Sequence, residues 1–201
     1  HSSYIDGVFL ASLLPSFVRR RVKSFYTASL HNGIMGYIFQ SVGHFPIYYM
    51  KNESNNFEID RLSYSHTKIE VMNFLNSSED RKYFIFYPEG QINQGDPQKH
   101  VKSFRHGGFE NIINCPGDIY AMVCINLDLI WPSHSSWFSR GYTNQPIFYT
   151  LKLIASVEEL TCSKNKMSMT HQELAKYCEV QVNDLIDQLK MEEAKGKGIL
   201  F

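Results

Sequence analysis

The first residues of the chain, HSSYID, place His1 five positions before a carboxylate, Asp6. Histidine can take a proton from a hydroxyl near neutral pH, and a carboxylate can orient the imidazole and stabilise its charged form. Five residues apart on an ideal helix, the two side chains would point about 140° away from each other, so they meet only where a turn leads into a helix. The pair is a candidate general base with its orienting carboxylate, and a chance spacing is the alternative.

A second candidate site follows the apolar run KYFIFYP, where Glu89 and Gly90 come directly after Pro88. Glycine at this point permits a backbone conformation that other residues avoid, and it lets N–H groups point towards an anion. The alternative is an ordinary turn after a strand, with a solvated glutamate.

Three cations are placed where they could meet a phosphate. Lys102 and Arg105 precede paired glycines and a predicted helix, and Lys51 follows the apolar stretch GHFPIYYM. Cations beside a helix N-terminus suit a phosphate group. A solvated basic turn and a plain core strand are the respective alternatives.

Alternating strands and helices must position these residues. Apolar runs predict strands, and apolar residues at helical spacing predict helices, the last of them begun by a Thr170–Glu173 capping box. The predicted strands are residues 22–27, HFPIYYM, KYFIFYP, DIYAMVCINL and IFYTLKLIASV, with KYFIFYP and DIYAMVCINL buried; the predicted helices are residues 7–14, HNGIMGYIFQSVG, FEIDRLSYSHTKIEVMNFL, HGGFENIINC and about 170–195. This order predicts a single α/β domain with a mixed or largely parallel sheet flanked by helices, and chemistry at the loops beyond its strands.

Composition narrows the class of protein. Lys and Arg together number 20, as do Asp and Glu, so the basic excess typical of nucleic-acid-binding proteins is missing and no nucleic-acid partner is expected. The four cysteines form no CxxC pair and are expected to be reduced, partly buried thiols. No metal-binding pattern such as HExxH occurs, and no stretch approaches the roughly 20 apolar residues of a membrane span.

Taken in order, HSSYID, GHFPIYYMK, YPEGQIN and DIYAMVCINL resemble the four sequence blocks of the glycerolipid acyltransferase family. This family includes the glycerol-3-phosphate, lysophosphatidic acid and lysophospholipid acyltransferases. FRHGGF is similar to the segment that the family places between its third and fourth blocks. The resemblance covers about residues 1–130, and about 80 residues separate the first block from the third.

The resemblance implies acyl transfer from acyl-CoA, a co-substrate, to a hydroxyl of a lysophospholipid such as lysophosphatidic acid, or of glycerol 3-phosphate. His1 would be the general base and Asp6 its orienting residue, with direct attack on the thioester and no acyl-enzyme. Glu89 and Gly90 would shape the acceptor site, and Lys51, Lys102 and Arg105 are candidates for contacts with the acceptor phosphate. No metal and no other cofactor is expected.

The resemblance also implies that residues 1–201 are one catalytic domain, excised from a longer protein associated with the endoplasmic reticulum or another intracellular membrane. Contact with the membrane surface is expected, and its candidates are the Arg19–Arg20–Arg21 cluster and the aromatic loop with Trp131, Trp137 and Phe138. Packed aromatic residues and a solvated turn are the alternatives.

The chain departs from the family blocks at three positions. Ile92 stands where the third block usually has arginine, Tyr49 where the second block ends in arginine, and Ala121 near the usual proline of the fourth. Arginine binds phosphate as a planar fork, which lysine does not reproduce. The missing arginine motivates a second hypothesis, a lipid-binding or scaffold domain that kept the fold without turnover. An unrelated α/β hydrolase would need a Gly-x-Ser-x-Gly elbow, which the sequence lacks.

Overall fold

The computed structural model describes residues 16–19, 21–51, 57–78, 81–90, 100–113, 115, 117–127, 147–156 and 169–196. His1, Asp6, Ile92, the helix predicted at 7–14 and the loop with Trp131 lie outside these residues. The chain divides into two compact units, one formed by Leu14–Phe86 and the other by His1–Leu13 with Tyr87–Phe201.

The described part of the chain combines helices with strands, three of which form a parallel sheet, and this confirms the predicted α/β class. In chain order they are α1 (Ser16–Arg19), β1 (Val22–Thr27), a 3-10 turn (Ala28–Leu30), α2 (Ile34–Ser41), β2 (Phe45–Ile47), β3 (Tyr49–Lys51), β4 (Phe57–Ile59), α3 (Arg61–Asn76), β5 (Tyr83–Ile85), α4 (Gly107–Ile112), β6 (Asp118–Ile125), β7 (Phe148–Ser156) and α5 (His171–Ala194).

The Leu14–Phe86 unit contains a parallel sheet in the order β2-β1-β5. Phe25 of β1 pairs with Phe45 of β2, and Val22 of β1 pairs with Tyr83 of β5. Pro46 lies in β2, at the edge of this sheet, where proline is tolerated because it lacks the N–H that a second neighbour would need. Antiparallel pairs β3–β4 and β6–β7 make the strand pairing mixed across the described part of the chain.

The stretch FEIDRLSYSHTKIEVMNFL is not helical throughout, contrary to the prediction. Phe57 belongs to β4, and α3 begins only at Arg61, because the Asp60 side chain accepts hydrogen bonds from the backbone N–H groups of Leu62 and Ser63. Leu62 is 82% exposed, although its apolar character helped to predict the helix. The buried positions of α3 are Thr67 and Val71.

The strand in KYFIFYP is shorter and less buried than predicted. Tyr83 is 36% exposed, and Phe84 and Ile85 are half-buried. The predicted burial on both faces is wrong here because β5 lies at the edge of the described sheet, with β1 as its neighbour in that sheet. DIYAMVCINL does form a strand, but burial alternates along β6, so one face of it packs inward.

The other unit is built on the β6–β7 hairpin and helix α5. Its core consists of side chains from these three elements: Ala121, Val123, Phe148, Leu185, Ile186 and Leu189. The predicted capping box is present, since the Thr170 hydroxyl accepts from Glu173 N–H and the Glu173 carboxylate accepts from Thr170 N–H. The helix ends before Lys195 and Gly196, as predicted, and Gly196 has a φ of +68°.

The cysteines in the described residues are free thiols, in agreement with the prediction. Cys115 and Cys178 are buried and Cys124 is partly buried, while Cys162 lies outside the described residues. Burial raises the pKa of Cys178 to about 12, so this thiol stays protonated near neutral pH. In the described ranges, no helix combines the length and apolar character needed to cross a bilayer.

Candidate functional site

The Pro-Glu-Gly motif forms a tight turn at the start of the Tyr87–Phe201 part of its unit. Gly90 N–H donates to the Tyr87 carbonyl at 3.0 Å, which closes the turn around Pro88 and Glu89. Proline pre-sets the backbone at the second position of such a turn, and Gly90 closes it with a positive φ of +68°. The local sequence therefore favours this turn.

Glu89 is buried, so the solvated alternative does not hold. Its side chain is only 4% exposed, and its Oε2 accepts a hydrogen bond from the backbone N–H of Lys102 at 3.0 Å. A buried carboxylate needs such donors because the loss of hydration is costly. Glu89 thus fastens the turn to the segment of residues 100–105.

Arg105 is the second residue of this segment that meets the turn. Its N–H donates to the Pro88 carbonyl at 2.8 Å. Its side chain passes over Gly90, where an added Cβ would lie 2.7 Å from Cδ and 2.9 Å from Nε. The structure therefore brings Glu89, Gly90, Lys102 and Arg105 together, and the side chains of the two cations remain exposed.

The 100–105 segment forms no helix or strand, and helix α5 binds its other side. Val101 N–H donates to Asn183 Oδ1 at 3.1 Å, and Phe104 N–H donates to Glu179 Oε2 at 2.9 Å. The Val101 side chain packs against the core of the unit. The segment is therefore bound by the 87–90 turn on one side and by α5 on the other.

Two further polar contacts accompany this arrangement. His100 Nε2 lies 3.3 Å from the Asp187 carboxylate, and Lys176 Nζ lies 2.6 Å from Glu179 Oε1. Burial acts to raise the pKa of Glu179, but the hydrogen bonds from Lys176 and from Phe104 N–H outweigh it and hold the pKa below its ordinary value. Glu179 is therefore ionised at neutral pH although it is buried, with only 8% of its surface exposed.

Sequence reasoning did not single out the acceptor groups of α5. Glu179, Asn183 and Asp187 recur every four residues, which places them in one row along a helix. This row of hydrogen-bond acceptors lies beside the apolar side of the helix, which carries Leu174, Cys178, Leu185 and Leu189. It was the sequence signal that could have indicated a polar contact along α5. Its partners could not be predicted, because the 100–105 segment has no periodicity of its own.

The remaining predicted site residues are Lys51, His1 and Asp6. Lys51 ends β3 in the Leu14–Phe86 unit, where its backbone pairs with Phe57 of β4. His1 and Asp6 lie outside the described residues, so their roles stay predictions. Within the described residues, no group of three or more His, Cys, Asp or Glu side chains is arranged to hold a metal ion.

The Leu14–Phe86 unit contains a serine–histidine contact that must be distinguished from a catalytic pair. Ser24 Oγ lies 3.0 Å from His44 Nδ1, and Ser24 N–H donates to the same nitrogen at 2.9 Å. Because the backbone N–H occupies the single lone pair of Nδ1, that nitrogen is not a free base for the hydroxyl. Burial and the nearby Lys23 ammonium lower the pKa of His44, which keeps the ring neutral.

Comparison with known families assigns the chain to a class. The profile of the family described as Acyltransferase matches residues 1–125, which is more than half of the 201 residues. The chain belongs to this family, the glycerolipid acyltransferases, and its general activity is acyl transfer. A search of curated proteins found no match. The matched residues include the 87–90 turn and the 100–105 segment, whereas α5 follows them.

Proposed function

We propose that this protein transfers a fatty acyl group from acyl-CoA to a hydroxyl of a lysophospholipid such as lysophosphatidic acid. The observation that carries the proposal is the cluster of Glu89, Gly90, Lys102 and Arg105, in which two exposed cations lie beside a fixed turn. Exposed cations held by a rigid backbone suit a phosphorylated acceptor.

In the proposed mechanism, His1 removes the proton from the acceptor hydroxyl, and Asp6 orients the imidazole and stabilises its charged form. The hydroxyl oxygen attacks the thioester carbonyl, the carbon–sulfur bond breaks, and the proton passes from the His1 imidazolium to the departing CoA thiolate. The products are the acylated lipid and free CoA. No serine nucleophile is required, because the thioester is already activated and the acceptor is itself the nucleophile.

The acceptor site is proposed to form at the 87–90 turn. The Arg105 side chain passes over Gly90, and it has room there because glycine has no Cβ. Lys102 contributes a second positive charge from the same segment. Glu89 holds the segment in place through Lys102 N–H, and its buried carboxylate points away from solvent. Lys51 remains a further candidate for phosphate contact.

The experiment is an assay for released CoA thiol with a panel of lysophospholipids, glycerol 3-phosphate and several acyl-CoAs. We expect release with a phosphorylated acceptor, and loss of release with every acceptor in His1→Ala. We expect Asp6→Asn to lose most activity because the imidazole loses its orientation. Appreciable turnover by His1→Ala would contradict the general-base role. Absence of release with the whole panel would favour the lipid-binding or scaffold hypothesis.

A membrane surface is the proposed partner, and the Leu14–Phe86 unit supports this. Helix α2 carries no charged residue and presents Ile34, Tyr37 and Ile38 to solvent, with Ile34 83% exposed. From Gly7 to Asn52 the sequence has no Asp or Glu but five Lys and Arg residues. An exposed apolar helix face in an acid-free, basic segment suits an anionic bilayer, with the endoplasmic reticulum or another intracellular membrane as the proposed location.

Co-sedimentation with vesicles tests this partner. We expect binding to phosphatidylcholine vesicles that contain phosphatidylserine, and weaker binding to phosphatidylcholine alone or at high salt. Ile34→Asp should reduce the bound fraction, whereas Leu62→Asp on α3, where Leu62 is 82% exposed, serves as the matched control. Equal loss of binding in both variants would contradict the role of α2.

A further inference from the structure

The backbone of the 100–105 segment is held in an alternating pattern. The N–H groups of Val101 and Phe104 donate to side chains of α5, and those of Lys102 and Arg105 donate to the 87–90 turn. Each set is spaced three residues apart, so the two sets face opposite sides of the segment. A segment without a strand neighbour thereby gives four of its N–H groups specific acceptors.

Glu179 makes the most distinctive of these four contacts. Of the two α5 side chains that accept these hydrogen bonds, Glu179 is the charged one. It is buried, and the Lys176 ammonium lies 2.6 Å from its second carboxylate oxygen. Its partner, Phe104 N–H, comes directly before Arg105 in the chain. A hydrogen bond to an ionised carboxylate is about twice as strong as one between neutral groups. The contact therefore fixes the backbone immediately next to a proposed phosphate-binding side chain.

We propose that Glu179 is a positioning residue for acceptor binding, which acts through Phe104 N–H to hold Arg105 and Lys102 at the 87–90 turn. This inference rests on the proposed function, because it gives a role to the same acceptor site. Glu179 lies outside residues 1–125, which the family profile matches. The role is thus carried by an element that follows the family blocks.

The physical reason lies in the cost of ordering long side chains. Arg105 and Lys102 have exposed side chains with many rotatable bonds, so a phosphate group gains most from them when the backbone beneath is already fixed. If Phe104 N–H lost its acceptor, the segment would remain tied to the turn but would pivot on the α5 side. The cations would then sample more arrangements, and acceptor binding would weaken before the chemical step did.

The test compares three variants of the whole chain. Glu179→Ala removes the acceptor oxygen, Glu179→Gln keeps an oxygen for Phe104 N–H without the charge, and Asp184→Asn changes an exposed carboxylate on the same helix. The readouts are KM for the phosphorylated acceptor, KM for acyl-CoA, kcat, and amide hydrogen exchange at Phe104. Exchange reports the hydrogen bond directly and does not depend on turnover.

We expect Glu179→Ala to raise the acceptor KM about tenfold or more with little change in the acyl-CoA KM, and to speed exchange at Phe104. Glu179→Gln should retain most of both properties, and Asp184→Asn should match the unmodified protein. An unchanged acceptor KM in Glu179→Ala would overturn the inference. A rise in both KM values together with a fall in kcat would also overturn it, because that pattern indicates a general defect in folding.

Failure of the proposed function gives a different result. If the unmodified protein releases no CoA with any acceptor, the proposed acyl transfer to these lipids is wrong. The affinity of the same variants for glycerol 3-phosphate is then compared in titrations that are monitored by NMR. Weaker binding in Glu179→Ala, with recovery in Glu179→Gln, would support the positioning role without turnover. Equal affinity in all three variants would overturn it.

Discussion

Gly90 and the Arg105 side chain are in such close contact that a Cβ on residue 90 would lie 2.7 Å from Arg105 Cδ. Gly90 also has a φ of +68°, a region that L-residues with side chains rarely adopt. Two independent features therefore favour glycine here: the backbone conformation, and the Arg105 side chain, which a Cβ would displace. Gly196 has the same φ of +68°, but a Cβ there would meet nothing within 4 Å.

This pair of glycines separates backbone strain from displacement of Arg105. We expect Gly90→Ala and Gly196→Ala each to lower the free energy of unfolding by about 1–2 kcal/mol, because both force alanine into the left-handed region. Only Gly90→Ala should raise the KM for a phosphorylated acceptor, since only there must Arg105 move. Urea unfolding and steady-state kinetics measure the two effects. A similar rise in KM for Gly196→Ala would show that strain alone is responsible.

The hydrogen bond between Glu89 and Lys102 N–H gives a prediction about stability. Glu89→Ala should lower the free energy of unfolding by about 1–3 kcal/mol, because it leaves the Lys102 amide without this acceptor. Glu89→Gln keeps an oxygen at the same place and should lose clearly less. Urea denaturation followed by far-UV circular dichroism compares the two. If both variants lost the same amount, the negative charge of Glu89, rather than its hydrogen bond, would be the stabilising feature.

His44 gives the Leu14–Phe86 unit a dependence on pH. Burial and the Lys23 ammonium lower its pKa, so the folded state binds fewer protons than the unfolded state, in which the pKa is about 6.5. Its contribution to stability is therefore complete above about pH 6.5 and is lost as the pH falls towards the lowered pKa of the folded state.

The variant His44→Asn isolates this effect, because asparagine can offer Ser24 N–H an oxygen but does not titrate. Unfolding free energies measured between pH 8 and pH 5 should fall more steeply for the unmodified protein than for His44→Asn. Parallel pH profiles for the two proteins would contradict the assignment.

The capping box of α5 is a local feature with a measurable effect. Thr170→Ala removes the acceptor for Glu173 N–H and should lower the free energy of unfolding by about 1 kcal/mol, within a range of about 0.5–2. Thr170→Ser keeps the hydroxyl and should remain close to the unmodified protein. Thermal unfolding measures both. A loss in Thr170→Ser as large as that in Thr170→Ala would point to the packing of the threonine methyl group.

Features that depend on neighbours in the chain could be predicted from the sequence. The strand Val22–Thr27 and the capping box at Thr170 are both specified within a few residues, by apolar β-formers and by a threonine three positions before a glutamate. The error at Phe57 has a similarly local origin. Its spacing from later apolar residues fits a helix, but Asp60 caps the helix further along.

Features that depend on distant partners could not be predicted. Glu89 follows a strand in a polar sequence, which is typical of an exposed turn. Its burial depends on Lys102 N–H, 13 residues away, and the contact of Glu179 with Phe104 spans 75 residues. Neither the segment nor the turn has a period that indicates such contacts. The residue types of the cluster of Glu89, Gly90, Lys102 and Arg105 were thus visible in the sequence, but the arrangement that joins them was not.

The long span of the α5 contacts has a consequence for the order of events during protein synthesis. The ribosome completes the 87–90 turn and the 100–105 segment well before it reaches Asn183, which binds Val101 N–H from 82 residues further along. A nascent chain can form the turn early, but it can secure the other side of the segment only after α5 has emerged. The cluster of Glu89, Gly90, Lys102 and Arg105 therefore reaches its final arrangement late, after α5 has been made.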